Sequence, residues 1–250
     1  MLTQQRHEVI LKLLHEKQTA TIQEIADLTL ASESTIRRDL TELEKQQKLE
    51  RVHGGAVLAD QQLEEPSVLD KSAKNLQEKI QLAKTAAELI EEGDYIYLDA
   101  GTTIIQMIPF LKDRDIQVVT NGLTHVQPLM EYGITTYLTG GLMKARTGAL
   151  VGVQALNSLQ AYQFDKCFLG VNGFHEMAGY TTPDPEEAAM KRLAAAQAQE
   201  TYVLADYTKY GKVTFSKVID LHEAGLITAG LPDEVMTALG QQTTIKGGMS

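Results

Sequence analysis

Six short apolar segments, separated by stretches with helical periodicity, recur along the chain after residue 94. We predict strands at residues 95–98, 117–120, 135–138, 167–171, 202–205 and 226–228. Strands that alternate with helices favour a mostly parallel sheet flanked by helices, an α/β architecture. In such a sheet, ligands bind beyond the carboxyl ends of the strands. The residues that follow each segment are therefore the ones to examine for function.

Polar residues and glycines follow several of these segments. Gly101, Thr102 and Thr103 come between a predicted strand and a predicted helix, where backbone amides and two hydroxyls could converge on an anion such as a phosphate. Alone, this tripeptide is weak evidence, since glycine is common in turns and threonine in caps. The other candidates at predicted strand ends are Asp99, Asn121, Gly141, Lys144, Asn172 and Lys209.

A further pair of candidates lies on a helix that begins after Asp184. Asp184 followed by Pro185 is a sufficient start signal for this helix, so capping alone explains Asp184. Glu187 and Lys191 are one turn apart. They form either a surface ion pair of small energy or, if the helix start faces the pocket, a pair that bonds to ligand hydroxyls.

The first 57 residues have a different pattern. Apolar residues recur at helical spacing in three short stretches, and helix starts are marked by Thr21 with Glu24 and by Ser32. Residues 49–53 then alternate like a strand, and Gly54-Gly55 allows a tight reversal. Three short helices followed by a small hairpin are typical of a winged helix-turn-helix that binds DNA.

The third of these helices carries side chains that can bond to both phosphates and base edges. With two residues of the predicted wing, the DNA-binding candidates are Ser34, Thr35, Arg37, Arg38, Thr41, Arg51 and His53. An adjacent arginine pair taken alone is more typical of a solvated helix face. The surrounding helix-turn-helix pattern favours DNA contact instead.

The run from Ser34 to Leu40, with Leu43 and the run from Arg51 to Ala56, resembles the signature of the DeoR family of bacterial sugar-operon regulators. The resemblance implies that Arg37 and Arg38 contact DNA and that Asp39 helps to fix their helix. It also implies a repressor that is released from its operator by a phosphorylated sugar. Fructose 1-phosphate is our first expectation, and tagatose 6-phosphate or another hexose phosphate is the alternative.

The strand-end residues also resemble the sensor domain of that family, so the likeness covers nearly the whole chain. That domain is similar in fold to ribose 5-phosphate isomerase. The resemblance implies that the Gly-Thr-Thr loop and Lys209 hold the phosphate. The residues that it implies for the sugar are Asp99, Asn121, Glu187 and Lys191.

We accordingly predict three regions: a winged helix-turn-helix at residues 1–57, a linker at 58–72, and a sensing and oligomerisation domain at 73–250. A helix over residues 76–90, with its apolar stripe through Ile80 and Ala83, opens the last of these. We expect a homo-oligomer, dimeric or tetrameric, because paired recognition helices reach repeated half-sites.

Several classes are disfavoured. The net charge of −10 argues against coating nucleic acid by bulk electrostatics, although it leaves room for a local DNA-binding face. No apolar window approaches 18 residues, and we expect a cytoplasmic protein without membrane contact. Cys167, the single cysteine, is expected to be a buried thiol. The six histidines lack ligand spacing, so we expect no metal and no cofactor.

Two other functions stay open at this point. In an isomerase-like enzyme, Glu187 would shuttle a proton and Lys191 or Lys209 would stabilise an enediolate. The DNA-binding region has no evident role in such an enzyme. Alternatively, the second domain serves only for assembly, although polar residues at several strand ends argue against a decayed pocket. A thermal shift on ligand addition would argue against a domain that serves only assembly.

Overall fold

The computed structural model describes residues 3–17, 19–46, 48–52, 54–58 and 74–247. It divides into two compact units, Met1–Glu64 and Glu65–Ser250. The predicted linker lies outside the described residues except for Leu58, which is the last residue of a strand. The predicted domain boundaries stay predictions.

The N-terminal unit combines three helices with a small antiparallel sheet. The helices are α1 (Thr3–Lys17), α2 (Ile22–Thr29) and α3 (Glu33–Lys45), and the strands are β1 (Thr19–Thr21), β2 (Leu49–Val52) and β3 (Gly55–Leu58), in the order β1-β3-β2. Thr21 and Glu24 form the predicted capping box, and Ser32 caps α3. The predicted helix-turn-helix and hairpin are confirmed; β1 was not predicted.

A seven-stranded parallel sheet runs through the described residues 74–247. Its strands are β4 (Tyr95–Leu98), β5 (Gln117–Thr120), β6 (Thr135–Leu138), β9 (Phe164–Gly170), β12 (Ala198–Leu204), β14 (Gly225–Ile227) and β15 (Ile245–Lys246), in the order β15-β14-β12-β9-β4-β5-β6. All six predicted strands are present, and the predicted fold class is confirmed. β9 and β12 begin earlier than predicted, and the edge strand β15 was missed.

Helices and two smaller sheets surround this sheet. The helices are α4 (Leu76–Ala87), α5 (Leu123–Glu131), α6 (Val153–Leu159), α7 (Pro185–Ala196) and α8 (Asp233–Gly240), with 3₁₀ helices at Ile104–Leu111, Tyr207–Lys209 and Leu221–Glu223. Strands β7 (Leu142–Met143) and β8 (Leu150–Val151) pair with each other, and β10 (Gly173–His175), β11 (Gly179–Thr182) and β13 (Ser216–Ile219) form an antiparallel sheet.

Alternate residues of each central strand enter cores on opposite faces of the parallel sheet, as the two-residue period of a strand requires. Tyr97, Cys167 and Leu169 lie in one core, whereas Leu98 and Phe168 lie in the other. Burial raises the pKa of the Cys167 thiol, so the predicted buried thiol is confirmed and is held in its unreactive, protonated form. No helix among the described residues is long and apolar enough to cross a membrane.

Candidate functional sites

The outer face of α3 presents the predicted DNA-binding side chains. Ser34, Arg37 and Arg38 are exposed, and Thr35 and Thr41 are half-buried. Arg37 Nη2 lies 3.2 Å from Glu33 Oε2, but both side chains are about half exposed, so this pair is weak. The guanidinium can therefore exchange Glu33 for a phosphate at little cost.

Side-chain hydrogen bonds join the strand β2 to the same face. Arg51 Nη1 donates to Thr41 Oγ1 at 3.0 Å, and the Arg51 amide donates to Glu44 Oε1 at 3.1 Å. Thr41 Oγ1 in turn donates to the Arg37 carbonyl at 2.8 Å. The structure thus brings Arg51 beside α3, as predicted for a wing residue; His53 lies outside the described residues.

Asp39 anchors α3 from its buried side. It is 3% exposed and accepts hydrogen bonds from two residues of α1: Arg6 Nη2 at 3.0 Å and His7 Nε2 at 3.2 Å. Burial acts to raise the pKa of Asp39, but the hydrogen bonds from Arg6 and His7 outweigh it and lower that pKa. A carboxylate held in this way fixes the orientation of α3 against α1.

Arg6 was not among the predicted residues, although the sequence carries a signal for it. Arg6 is spaced four residues before Ile10 and eight before Leu14, which are both fully buried, so all three occupy one stripe of α1. A charged residue on an apolar stripe requires a buried partner. Asp39 has the same relation to the buried Ile36 and Leu43 of α3.

The second candidate site lies beyond the carboxyl ends of the parallel strands. Lys191, on α7, donates to Asp99, which follows β4, and the two side chains are only 4% and 1% exposed. Asp99 Oδ2 also accepts from the Gly170 amide at 3.0 Å. The structure therefore joins two predicted candidates, Asp99 at a strand end and Lys191 on a helix, that are far apart in the sequence.

Glu187 is also buried, and this corrects one alternative for the pair on α7. Glu187 Oε1 accepts a hydrogen bond from Thr147 Oγ1 at 2.7 Å, and Glu187 and Lys191 are 4% and 3% exposed. A surface ion pair is therefore wrong, because α7 turns both residues toward the interior. Burial of two such groups costs free energy unless each is well bonded.

Asn121 braces the loop that follows β4. Its Oδ1 accepts from the Ala100 amide at 2.8 Å, and its Nδ2 donates to the Leu150 carbonyl at 3.2 Å. The side chain is 1% exposed. These bonds give Asn121 a positioning role between the loop after β4 and the strand β8, and its contact with a sugar stays a prediction.

The Gly-Thr-Thr loop lies beside a lysine that the sequence analysis missed. Lys79 Nζ, from α4, donates to Thr102 Oγ1 at 3.1 Å, and Lys79 is 5% exposed. The predicted apolar stripe of α4 is buried at Ala83, whereas Ile80 is only half-buried and the buried face also includes Lys79 and Leu82. Lys79 thus lies at helical spacing before Leu82 and Ala83, which was the available signal.

The helix after this loop differs from the expected one. Residues 104–111 form a 3₁₀ helix that contains Pro109, which has no amide hydrogen to donate. The Ile105 amide donates to the Gly101 carbonyl at 3.0 Å. The groups here that could bind an anion are therefore the amide of Thr102, the hydroxyls of the loop and the ammonium of Lys79.

Lys144 is paired at the start of α7. Its ammonium donates to Asp184 and lies 3.1 Å from Glu186 Oε2. Burial acts to lower the pKa of Lys144, but the hydrogen bonds that its ammonium donates to Asp184 and Glu186 outweigh it and raise that pKa. Asp184 caps α7 as predicted, accepting from the Glu186 and Glu187 amides at 2.8 and 3.2 Å.

Three further predicted candidates are Lys209, Asn172 and Gly141. Lys209 is half-buried in a 3₁₀ turn capped by Asp206, and Asn172 Oδ1 accepts from Thr182 Oγ1 at 3.0 Å. Gly141 has a φ of +104°, and a Cβ there would lie 2.5 Å from the Val151 carbonyl, so packing alone requires glycine.

We call the following residues the strand-end cluster: Lys79, Asp99, Thr102, Thr147, Glu187 and Lys191. The cluster combines cations, carboxylates and hydroxyls, a set that suits a hydroxylated anion. Within the described ranges, no group of three or more histidine, cysteine, aspartate or glutamate residues is arranged to hold a metal ion. The cluster and the face of α3 belong to different compact units. A protein with both features can bind a small anion and a nucleic acid.

Comparison with known proteins agrees with this division. Residues 6–62 match the family model of a DeoR-like helix-turn-helix domain, and residues 74–229 match that of a DeoR C-terminal sensor domain. An uncharacterized HTH-type transcriptional regulator FruR of Bacillus subtilis is 48% identical over 98% of each chain. A lactose phosphotransferase system repressor of Streptococcus mutans is 34% identical over 98% of this chain and 99% of its own.

Solved structures of ribose 5-phosphate isomerase are also among the matches. The enzyme from Methanocaldococcus jannaschii is 19% identical over 55% of each chain, with a TM-score of 0.42.

Proposed function

Because this chain belongs to the DeoR family of transcription regulators, we propose that it represses a sugar-utilisation operon of the fructose type in the cytoplasm. A phosphorylated sugar releases it from the operator. The named relatives are transcription regulators, so the chain is a DNA-binding regulator and not an enzyme.

The exposed face of α3, held from behind by Asp39, is the observation that carries the DNA-binding role. Arg37 and Arg38 are exposed on it, Ser34 and Thr41 lie one turn before and one turn after them, and Arg51 bonds to Thr41. Arginine can bind phosphates or guanine edges, and hydroxyls bind either. We assign the seven predicted residues, His53 included, to this interface.

The strand-end cluster supports a phosphorylated sugar as the effector. Lysine and threonine side chains next to the Gly-Thr-Thr loop suit the phosphate, whereas the buried Asp99, Glu187 and Lys191 suit sugar hydroxyls. On the resemblance to DeoR-family sugar-operon regulators, we take fructose 1-phosphate as the first candidate and tagatose 6-phosphate or another hexose phosphate as the alternative.

We further propose a homo-oligomer, dimeric or tetrameric, that places paired α3 helices in successive major grooves. A sugar phosphate that binds the released arrangement more tightly shifts this equilibrium. A coupling of roughly 1–3 kcal/mol changes operator affinity by about 5- to 150-fold. Sedimentation of the protein with and without operator DNA measures the number of copies bound.

The direct experiment is a titration of the DNA upstream of the regulated operon, followed by fluorescence anisotropy, with and without fructose 1-phosphate. We expect tight binding that weakens when the sugar phosphate is present. Thermal melting against a panel of hexose phosphates identifies the effector, since a ligand at 100 times its dissociation constant adds about 2.7 kcal/mol to stability. If no compound shifts the melting temperature, a domain that serves only assembly is the better explanation.

Arg37→Ala separates the two sites. We expect it to weaken operator binding at least 10-fold and to leave the stabilisation by sugar phosphate unchanged. Lys12→Ala, on the exposed face of α1, is the matched loss of positive charge and should have little effect on operator binding. Equal loss of both activities in the Arg37 variant would indicate misfolding instead. Lys209→Ala should give operator binding that no longer responds to sugar phosphate.

A further inference from the structure

The first turn of α4 carries polar residues that face two different strand-end loops. Lys79 Nζ donates to Thr102 Oγ1 at 3.1 Å, in the loop after β4. Asn75, which precedes α4, donates through Nδ2 to Asp206 Oδ1 at 3.5 Å, in the loop after β12. This turn therefore lies against both loops to which the phosphate is assigned.

Lys79 is an expensive residue for a position that serves packing alone. It is 5% exposed, and its neighbours on the buried face of α4 are the apolar Leu82, Ala83 and Ala86. Transfer of an ammonium group from water to an interior costs free energy that an apolar side chain would not. Its Nζ is also directed at the threonine hydroxyl of the anion-binding loop, where a positive charge strengthens the binding of an anion.

Glu78, on the same turn, brings the opposite charge. Its Oε2 is buried and has no hydrogen-bond partner among the described residues. Burial, together with the nearby carboxylate of Asp206, raises the pKa of Glu78. A buried acceptor without a donor suits a ligand hydroxyl, but its negative charge opposes a phosphate in the same site.

We propose that Lys79 binds the anionic group of the effector beside Thr102, and that Glu78 limits how tightly this group is held. The proposal deepens the proposed function and rests on it. It also places a ligand-binding residue in the first turn of the helix that follows the predicted linker, residues 58–72. A bound effector would then contact the first turn of α4. In the sequence, this turn follows the predicted linker that leads from the DNA-binding unit.

The test compares the full-length wild type with Lys79→Met, which removes the ammonium and keeps a similar length. Binding of fructose 1-phosphate, tagatose 6-phosphate and inorganic phosphate is measured by calorimetry. For the compounds that bind the wild type, Lys79→Met should weaken binding about 10- to 100-fold, the range for a lost hydrogen bond to a charged group. Lys84→Met, on the exposed face of the same helix, should bind as the wild type does.

Operator release provides the second readout. Lys79→Met should bind operator without ligand as the wild type does, and the sugar-phosphate concentration for half-release should rise by the same factor as the dissociation constant. Unchanged ligand binding in Lys79→Met would overturn the proposal, whether or not release changes. A wild type that binds none of the three compounds would overturn the proposed effector class as well.

Glu78→Gln gives an effect of opposite sign. Because the substitution removes the repulsion between the carboxylate and the phosphate, phosphate binding should tighten by about 3- to 10-fold. Weaker binding would contradict the role of Glu78. If Lys79→Met does not fold, two other single variants test the proposal. Thr102→Val should weaken phosphate binding, and Glu78→Gln should strengthen it. Unchanged binding in both variants would overturn the proposal.

Discussion

Each compact unit buries a carboxylate against a cationic side chain, but the two pairs lie in different surroundings. Asp39 accepts hydrogen bonds from Arg6 and His7, which both belong to α1. The polar face of α3 lies on the opposite side of that helix. Asp99 receives Lys191 and the Gly170 amide beyond the end of β4, among the candidate ligand groups. The first pair orients an exposed helix face, whereas the second lies buried among the candidate ligand-binding groups.

The comparison shows that a buried charge identifies a constraint and not, by itself, a binding site. Both carboxylates are nearly inaccessible, at 3% for Asp39 and 1% for Asp99. Their positions relative to the strand ends distinguish them, because parallel sheets collect ligand groups at one edge. Substitutions of the two pairs should therefore separate stability from response.

The largest effect is expected from Lys191→Met, since this pair is the more deeply buried. Asp99 would keep its charge without its cation, and loss of one partner of a buried pair costs about 3–5 kcal/mol. Chemical denaturation should show this loss in the transition of the C-terminal unit. Lys217→Met is the control, because the Lys217–Asp220 pair is about half exposed and should contribute little to stability. Similar small losses in both variants would contradict the distinction.

Asp39→Ala should have the next largest effect, at about 3 kcal/mol, because Arg6 is slightly more exposed than Lys191. The loss belongs to the N-terminal unit, and operator affinity should fall with it as α3 loses its anchor. The thermal shift with sugar phosphate, measured on the C-terminal transition, should stay as in the wild type. Glu33→Ala removes only the exposed partner of Arg37 and should leave the stability of the N-terminal unit almost unchanged.

Acid provides a smaller and graded test of the Asp39 pair. Its pKa in the folded state is below the ordinary 3.8, so the unfolded chain binds the proton more readily. The stabilisation is fully present above the unfolded pKa and is lost as the pH falls below about 4, through the folded pKa. The N-terminal transition of the wild type should lose stability there more steeply than that of Asp39→Asn. Parallel pH profiles would show that the pair does not contribute.

The smallest effect concerns Tyr97. Its side chain is fully buried, and its hydroxyl has no hydrogen-bond partner among the described residues. Tyr97→Phe removes an unsatisfied polar group, so we expect no loss, or a gain of up to about 1 kcal/mol. Tyr180→Phe is the matched control, because the hydroxyl of Tyr180 donates to the Ala224 carbonyl at 3.4 Å. A loss in Tyr97→Phe as large as in the control would indicate a bonded hydroxyl.

Local patterns carried much of the prediction. The capping box at Thr21, the cap at Ser32 and the start of α7 at Asp184 depend on residues within one helical turn, and all three were predicted. The buried Lys79 and Arg6 were missed, because only apolar residues were used to define the buried stripe of each helix. The 3₁₀ geometry after the Gly-Thr-Thr loop also escaped prediction, since strand-to-helix spacing does not distinguish the two helix types.

The sequence by itself determined the three N-terminal helices, six of the seven strands of the parallel sheet, and which polar residues follow those strands. Periodicity and capping are properties of neighbouring residues, so they can be read along the chain. Only the tertiary structure decided the partners: Asp99 meets Lys191 across 92 positions, and Arg6 meets Asp39 across 33. Such pairs arise from the packing of distant elements, and no local spacing encodes them.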